Sequence, residues 1–201
     1  MTLESSCALL ETGHVQCWGA NEVGQLGNGG DKVSPSASAA PLDVVALEGV
    51  TQIMAAKDTL CAVSNGGVKC WGLSEFSTLG VNQSDTWVPI AIPGVTSGVK
   101  AIAGSGETIC ALLDTGVVEC WGLDDVGQVG DQPRTSVTGS VSTPTAVKDL
   151  EPAVSVSVGG DNGQEACAAL ATGGIKCWGE VFHSETSLAT SSVVPQWIAG
   201  F

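Results

Sequence analysis

Residues 7–19 read CALLETGHVQCWG, and the pattern returns three times: CAVSNGGVKCWG at 61–72, CALLDTGVVECWG at 110–122 and CAALATGGIKCWG at 167–179. Cys-Trp-Gly therefore begins at Cys17, Cys70, Cys120 and Cys177, with a period of about 50 residues. That is the length of a four-stranded propeller blade. Self-similarity at such a period marks a repeat array, in which each unit buries its apolar face on its neighbours.

Each copy is a hairpin. Apolar residues flank a turn at Thr12-Gly13, Asn65-Gly66, Thr115-Gly116 or Thr172-Gly173. Asn65-Gly66 is the sharpest signal, because a two-residue type I′ turn requires positive φ at both positions. Closing it makes Ser64 and Gly67 the first hydrogen-bonded pair and sets Val63 against Val68. Cys61 then faces Cys70 in a non-hydrogen-bonded pair, side chains close together on one face. The other units carry one more residue between their cysteines, which a three-residue turn with a left-handed Gly absorbs.

The flanking strands repeat as well. VTQIMAA (50–56), VKAIAGS (99–105) and VSVSVGG (154–160) precede the last three hairpins as short buried strands ending in small residues. Upstream of these lie PLDVVALEGV (41–50), VPIAIPGV (88–95) and TPTAVKDL (143–150), each starting near a Pro, which a first or edge position tolerates. The expected blade runs Pro-strand, small-residue strand, Cys strand, Cys-Trp strand. The fold class is all-β, four propeller-type units in an open arc or partial propeller. The expected division is partial repeat 1 over 1–30, repeats over 31–84, 85–139 and 140–191, and a last strand over 192–201. Spacing aligns SVVPQWIAGF (192–201) with TWVPIAIPGV (86–95), making it a Pro-strand opening a next blade. A rival register matches 197–200 to 101–104 and makes it a closing strand. Loops rich in Gly follow the first and third Cys-Trp-Gly, ANEVGQLGNG and LDDVGQVGD; LSEFSTLGVN is looser and EVFHSETS has lost the glycines.

Composition agrees and excludes. The chain is 43% hydrophobic with 27 Gly, and six of its nine aromatic residues are Trp. Seven Lys and Arg face 21 Asp and Glu, a formal net charge of −14. Nucleic-acid binding and attachment to anionic membranes both need clustered cations, so neither is expected. No apolar run reaches the ~20 residues that cross a bilayer, so no membrane insertion is expected. The opening MTLESSCALL lacks a basic n-region and an apolar h-region; a secretory leader, if used, lies upstream or has been removed.

The stretch CALLETGHVQCWGANEVGQLGNG at 7–29 resembles the regulator-of-chromosome-condensation repeat family, and four copies carry the resemblance over essentially the whole chain. Familiar members are seven-bladed propellers, and the paired-cysteine form is similar to the extracytoplasmic branch. The family includes an exchange factor for a small GTPase, a plant ultraviolet photoreceptor and secreted β-lactamase inhibitor proteins, so fold does not give function. The photoreceptor's Trp-Arg-rich motif and the exchange factor's basic tail are both missing here.

The eight cysteines are open to three readings: disulfides, zinc ligands or buried thiols. No CxxC spacing occurs and there are only two His, which weighs against zinc. The repeat reduces the 105 possible pairings to Cys7–Cys17, Cys61–Cys70, Cys110–Cys120 and Cys167–Cys177. Disulfides are the expectation, reduced core thiols the alternative. Trp18, Trp71, Trp121 and Trp178 share one repeat position, which assigns them to the core between blades and not to a recognition surface. Trp87 and Trp197, near Pro89 and Pro195, are the candidate partner anchors. Asp124, Asp125 and Asp131 lack the alternation of a calcium loop and read as a solvated loop. Asn82-Gln83-Ser84 is a glycosylation sequon.

His14 and His183 share no context, and no nucleophile motif accompanies them. No enzyme, cofactor or metal site is expected. The function expected is an extracellular protein-binding or structural scaffold, its partner another protein or neighbouring copies of the array. The alternatives are an intracellular regulator of a small GTPase and, behind it, a hydrolase using the propeller channel.

Overall fold

The computed structural model describes residues 5–30, 36–80, 84–131, 139–160, 163–183 and 188–198. The described residues are all β and form four antiparallel sheets. The first sheet holds β1 (Ser5–Leu9), β2 (Val15–Ala20) and β3 (Ala37–Asp43). The second is β4 (Val50–Ala56), β5 (Thr59–Ser64), β6 (Gly67–Gly72) and β7 (Thr86–Ala91). The third is β8 (Val99–Ser105), β9 (Thr108–Leu113), β10 (Val118–Leu123) and β11 (Ser140–Ala146). The fourth is β12 (Ala153–Gly159), β13 (Glu165–Leu170), β14 (Ile175–His183) and β15 (Leu188–Trp197). Each sheet runs in chain order from its first strand to its last.

The hairpins follow their turn chemistry. Asn65 and Gly66 have φ of 49° and 75°, and the register sets Ser64 on Gly67, Val63 on Val68 and Cys61 on Cys70. In the longer turns Gly13, Gly116 and Gly173 sit at φ of 80°, 86° and 92°. All eight cysteines are paired as disulfides across their own hairpins, with Cα–Cα distances of 4.0 Å for Cys167–Cys177 and 4.1 Å for the other three. Those separations are the close approach of a non-hydrogen-bonded pair.

Strand membership corrects the expected blade. The Pro-strand does not open a blade; it closes one. β3, β7, β11 and β15 each pair with the Cys-Trp strand before them. Every such pairing shifts register beside the Trp, between Cys17 and Gly19, Cys70 and Gly72, Cys120 and Gly122, Cys177 and Gly179. This bulge explains the Gly of Cys-Trp-Gly. Gly72 lies at φ 96°, and a Cβ there would fall on the Asp58 carbonyl. The same carbonyl accepts from Leu73 N–H at 3.0 Å.

The last strand therefore neither opens a next blade nor pairs with the first hairpin; it closes its own blade. β15 lies on β14, with Gln196 opposite Cys177 as Ile90 is opposite Cys70. That is the alignment with residues 86–95 favoured by spacing. Among the described residues β1 pairs only with β2, so the arc is open.

The core lies between the sheets. One cluster joins the first two sheets through Val15, Leu26, Leu60 and Trp71. A second joins the middle two through Leu79, Ile92, Ile102 and Trp121. A third joins the last two through Leu112, Val129, Ala166 and Trp178. β5 is buried along its whole length, as a central strand with sheets stacked on both faces must be.

Candidate functional site

Three of the four repeat-position tryptophans are fully buried, and each is tied to the preceding blade. Trp71 Nε1 donates to Gln25 O at 2.9 Å, Trp121 Nε1 to Thr78 O at 2.9 Å, and Trp178 Nε1 to Gln128 O at 2.8 Å. A buried indole N–H needs such a partner. The post-Trp loop is built to offer it. Asn21 Oδ1 accepts from Leu26 N–H at 3.0 Å and Gln25 Oε1 from Val23 N–H at 3.0 Å. Asp124 and Gln128 repeat both bonds in the third blade, to Val129 N–H at 3.1 Å and Val126 N–H at 3.0 Å. Gly27, at φ 58°, leaves room for the indole: a Cβ there would lie 2.8 Å from Trp71 Nε1 and 2.9 Å from Val44 Cγ1.

These loops are latches between blades. Asp124 and Asp131, expected in a solvated loop, are buried, and Gln128 Nε2 donates to Asp125 Oδ1 at 2.9 Å. The fourth blade has a different ending: β14 continues to His183 and returns as β15. Trp18 is the exception among the four, half-buried on the open face of the first blade.

Of the two tryptophans outside the hairpins, Trp197 is 56% exposed, the most exposed large apolar side chain among the described residues. It sits opposite Lys176, whose Nζ lies 5.0 Å from the ring centroid. Lys176 also reaches Glu151 Oε2 at 2.7 Å and donates to Asp149 O at 3.3 Å. Its hydrogen bond holds the Glu151 carboxyl below the usual range. A planar apolar face backed by a fixed ammonium suits an aromatic or anionic contact. Trp87 is half-buried, and its carbonyl accepts from Gly29 N–H at 3.0 Å, so its backbone serves the first latch. Asn82 lies outside the described residues.

Titratable groups are dispersed. Lys57 bridges Glu75 at 2.8 Å and the buried Glu107 at 2.5 Å, and the hydrogen bond it donates to Glu107, then that to Glu75, holds its ammonium well above the ordinary lysine range. Burial raises the Glu119 and Glu165 carboxyls. Glu165 adjoins Cys167 and Cys177, the one grouping of metal-ligating residue types among the described residues. Those sulfurs are bonded to each other, so they offer no thiolate to a metal. No described helix is long and apolar enough to cross a membrane.

Comparison with known proteins agrees with this geometry. A family model, the regulator of chromosome condensation (RCC1) repeat, matches residues 4–25. The ultraviolet-B receptor UVR8 of Arabidopsis thaliana is 34% identical over 131 residues, 62% of this chain and 29% of that protein. The human E3 ubiquitin-protein ligase HERC2 is 32% identical over 150 residues, 72% of this chain and 3% of that one. The chain thus spans a minor part of these curated relatives. In structure it superposes on human WBSCR16 with a TM-score of 0.82 at 20% identity, covering 96% of this chain and 49% of that one. Yeast RCC1 (Prp20), solved bound to Kap60, gives 0.80 at 20% identity, with 98% and 47% covered.

Proposed function

We propose, for a chain built of regulator-of-chromosome-condensation repeats, that it serves as an extracytoplasmic protein-binding module. The carrying observation is one disulfide in every blade, each closing a hairpin and none leaving a free thiol. Disulfides in all units of an array suit an oxidising compartment, since cytosolic reductants keep such thiols reduced. A catalytic site needs titratable groups that converge with mutual geometry, and among the described residues the one grouping of metal-ligating types is Glu165 beside a closed disulfide, which favours binding over catalysis. Trp197 with Lys176 is the first contact surface, Trp87 the second, and Asn82 is a modification site if the compartment glycosylates. A protein partner fits the reading better than nucleic acid, which the −14 charge repels.

A second reading has one observation behind it. The superposition on yeast RCC1 is close, and a relative of that kind works with protein partners, Kap60 in the solved complex. An intracellular exchange factor requires reduced cysteines. Non-reducing peptide mapping of the protein recovered from its own compartment separates the two. Four intra-hairpin disulfides support the extracytoplasmic module; eight free thiols would overturn it and favour the intracellular regulator.

A further inference from the structure

The chain holds three Asn-Gly steps, Asn28-Gly29, Asn65-Gly66 and Asn162-Gly163. In such a step the main-chain nitrogen of the glycine lies within reach of the asparagine carboxamide, and no Cβ on the glycine screens it. Asn162 lies outside the described residues; the other two asparagines stand in opposite surroundings. Asn28 is half-buried, its Oδ1 accepts from Asn21 Nδ2 at 3.4 Å, and Gly29 N–H donates to Trp87 O at 3.0 Å. Both reacting groups are held there by the first latch. Asn65 is exposed at the tip of the second hairpin, and neither its carboxamide nor Gly66 N–H has a hydrogen-bond partner among the described residues. A Cβ at Gly66 would meet nothing nearer than Gly98 N at 3.8 Å, so that side of the turn is open. The other three hairpins carry Thr-Gly at the turn and offer no carboxamide.

We propose that Asn65-Gly66 is a site of spontaneous covalent modification in the folded protein. Gly66 N attacks Asn65 Cγ. The new N–C bond replaces the bond from Cγ to the amide nitrogen, which leaves as ammonia with the proton of Gly66. Water then opens the cyclic imide. Opening at the Cγ–N bond leaves aspartate. Opening at the bond between the main-chain carbonyl and nitrogen leaves isoaspartate, with the main chain running through Cβ and Cγ. Nothing is oxidised or reduced, and water is the sole co-reactant.

The surroundings of the turn give the two products different effects. Asn65 N–H donates to Gly49 O at 3.3 Å, and Gly66 O accepts from Val99 N–H, the first residue of β8, at 2.9 Å. The tip of the second hairpin is thereby tied to the third blade. Aspartate keeps this tie, because Asp-Gly suits the same two-residue turn. Isoaspartate adds a methylene to the main chain, and the register of Ser64 on Gly67 has no room for it. The Gly66 carbonyl is displaced and Val99 loses its acceptor. Cys61–Cys70 still joins the strands below, so the lesion stays at the tip and at this seam. The converted fraction grows with time and records the age of the molecule.

The test incubates the full chain, disulfides intact, at body temperature in mildly alkaline buffer. Peptides are then mapped by mass, and isoaspartate is separated from aspartate by chromatography. Asn65 should convert about tenfold faster than Asn28, whose glycine N–H must first leave Trp87 O. The rate should climb with pH, because the attacking nitrogen has to lose its proton. Both products are expected at position 65. Hydrogen exchange should find Val99 N–H unprotected in the isoaspartate fraction and protected in Asn65→Asp. Conversion of Asn65 no faster than that of Asn28 would overturn the proposal. Aspartate alone at position 65 would do the same, since direct hydrolysis gives no isoaspartate. Equal protection of Val99 in the native and isoaspartate forms would remove the effect on the seam. If Asn65→Asp fails to fold, the two asparagines of the wild-type chain still decide the matter.

Discussion

Trp18 and Trp71 occupy one position in the repeat and live in different surroundings. Trp71 is fully buried, bonded to Gln25 O, and packed against Gly27 of the blade before it. Trp18 has the same strand, disulfide and bulge around it, yet is half-buried. The difference shows that the Cys-Trp-Gly motif builds the hairpin, while the fate of the indole is decided by the latch of the previous blade. Sequence identity at a repeat position is therefore not energetic identity.

The largest effect should come from truncating the indoles. Trp71→Ala and Trp121→Ala should each cost about 3–5 kcal/mol in denaturant unfolding, since each leaves a cavity and an orphaned carbonyl. Trp18→Ala should cost about 1 kcal/mol; equal losses at positions 18 and 71 would break the comparison. Next come the disulfides. Each closes a loop of nine or ten residues, so the double alanine variant at Cys110 and Cys120 should lose about 2.5–3 kcal/mol. Under limiting reductant, mass mapping should find Cys7–Cys17 opened before Cys61–Cys70, because Cys7 is only half-buried while both cysteines of the second pair are fully buried.

Smaller effects sharpen the role of the latch. Gly27→Ala should cost about 2 kcal/mol from strain plus the clash with Trp71. Gly13→Ala, at φ 80° with nothing within 4 Å, should cost only about 1 kcal/mol of strain. Lys57→Met should likewise cost only about 1 kcal/mol, because the ammonium is 45% exposed and solvent screens it. The ammonium is held above its ordinary range, so its contribution is complete below pH ~10.4 and is lost as pH rises beyond. The gap between wild type and variant should therefore match at pH 6 and pH 8.

The hairpins were legible to the residue because turn chemistry fixes register: Asn65-Gly66 leaves no other partner for Cys61. The Pro-strand was misplaced for a topological reason. It sits close in sequence to the strand after it, across residues 92–98, and far from the strand it pairs with, across 73–85. Nearness along the chain usually means nearness in a sheet. Here the short connection crosses between blades and the long one stays inside, since the long one is the latch. The latch itself left little trace, because its acceptor is a main-chain carbonyl that any residue supplies, Gln25 in one blade and Thr78 in the next. Asp124 misled for the opposite reason. Its side chain replaces a turn hydrogen bond as Asn21 does, and a buried carboxylate so employed reads as surface charge in a sequence.

The one-per-blade disulfides also govern how the molecule answers a pull. Tension enters a hairpin at one cysteine and leaves at its partner, so the residues between them never feel the load. At about 3.4 Å per extended residue, each blade withholds roughly 30 Å of contour length. Stretched at a surface, the array would lengthen in shortened steps and keep every hairpin intact until a reductant arrives.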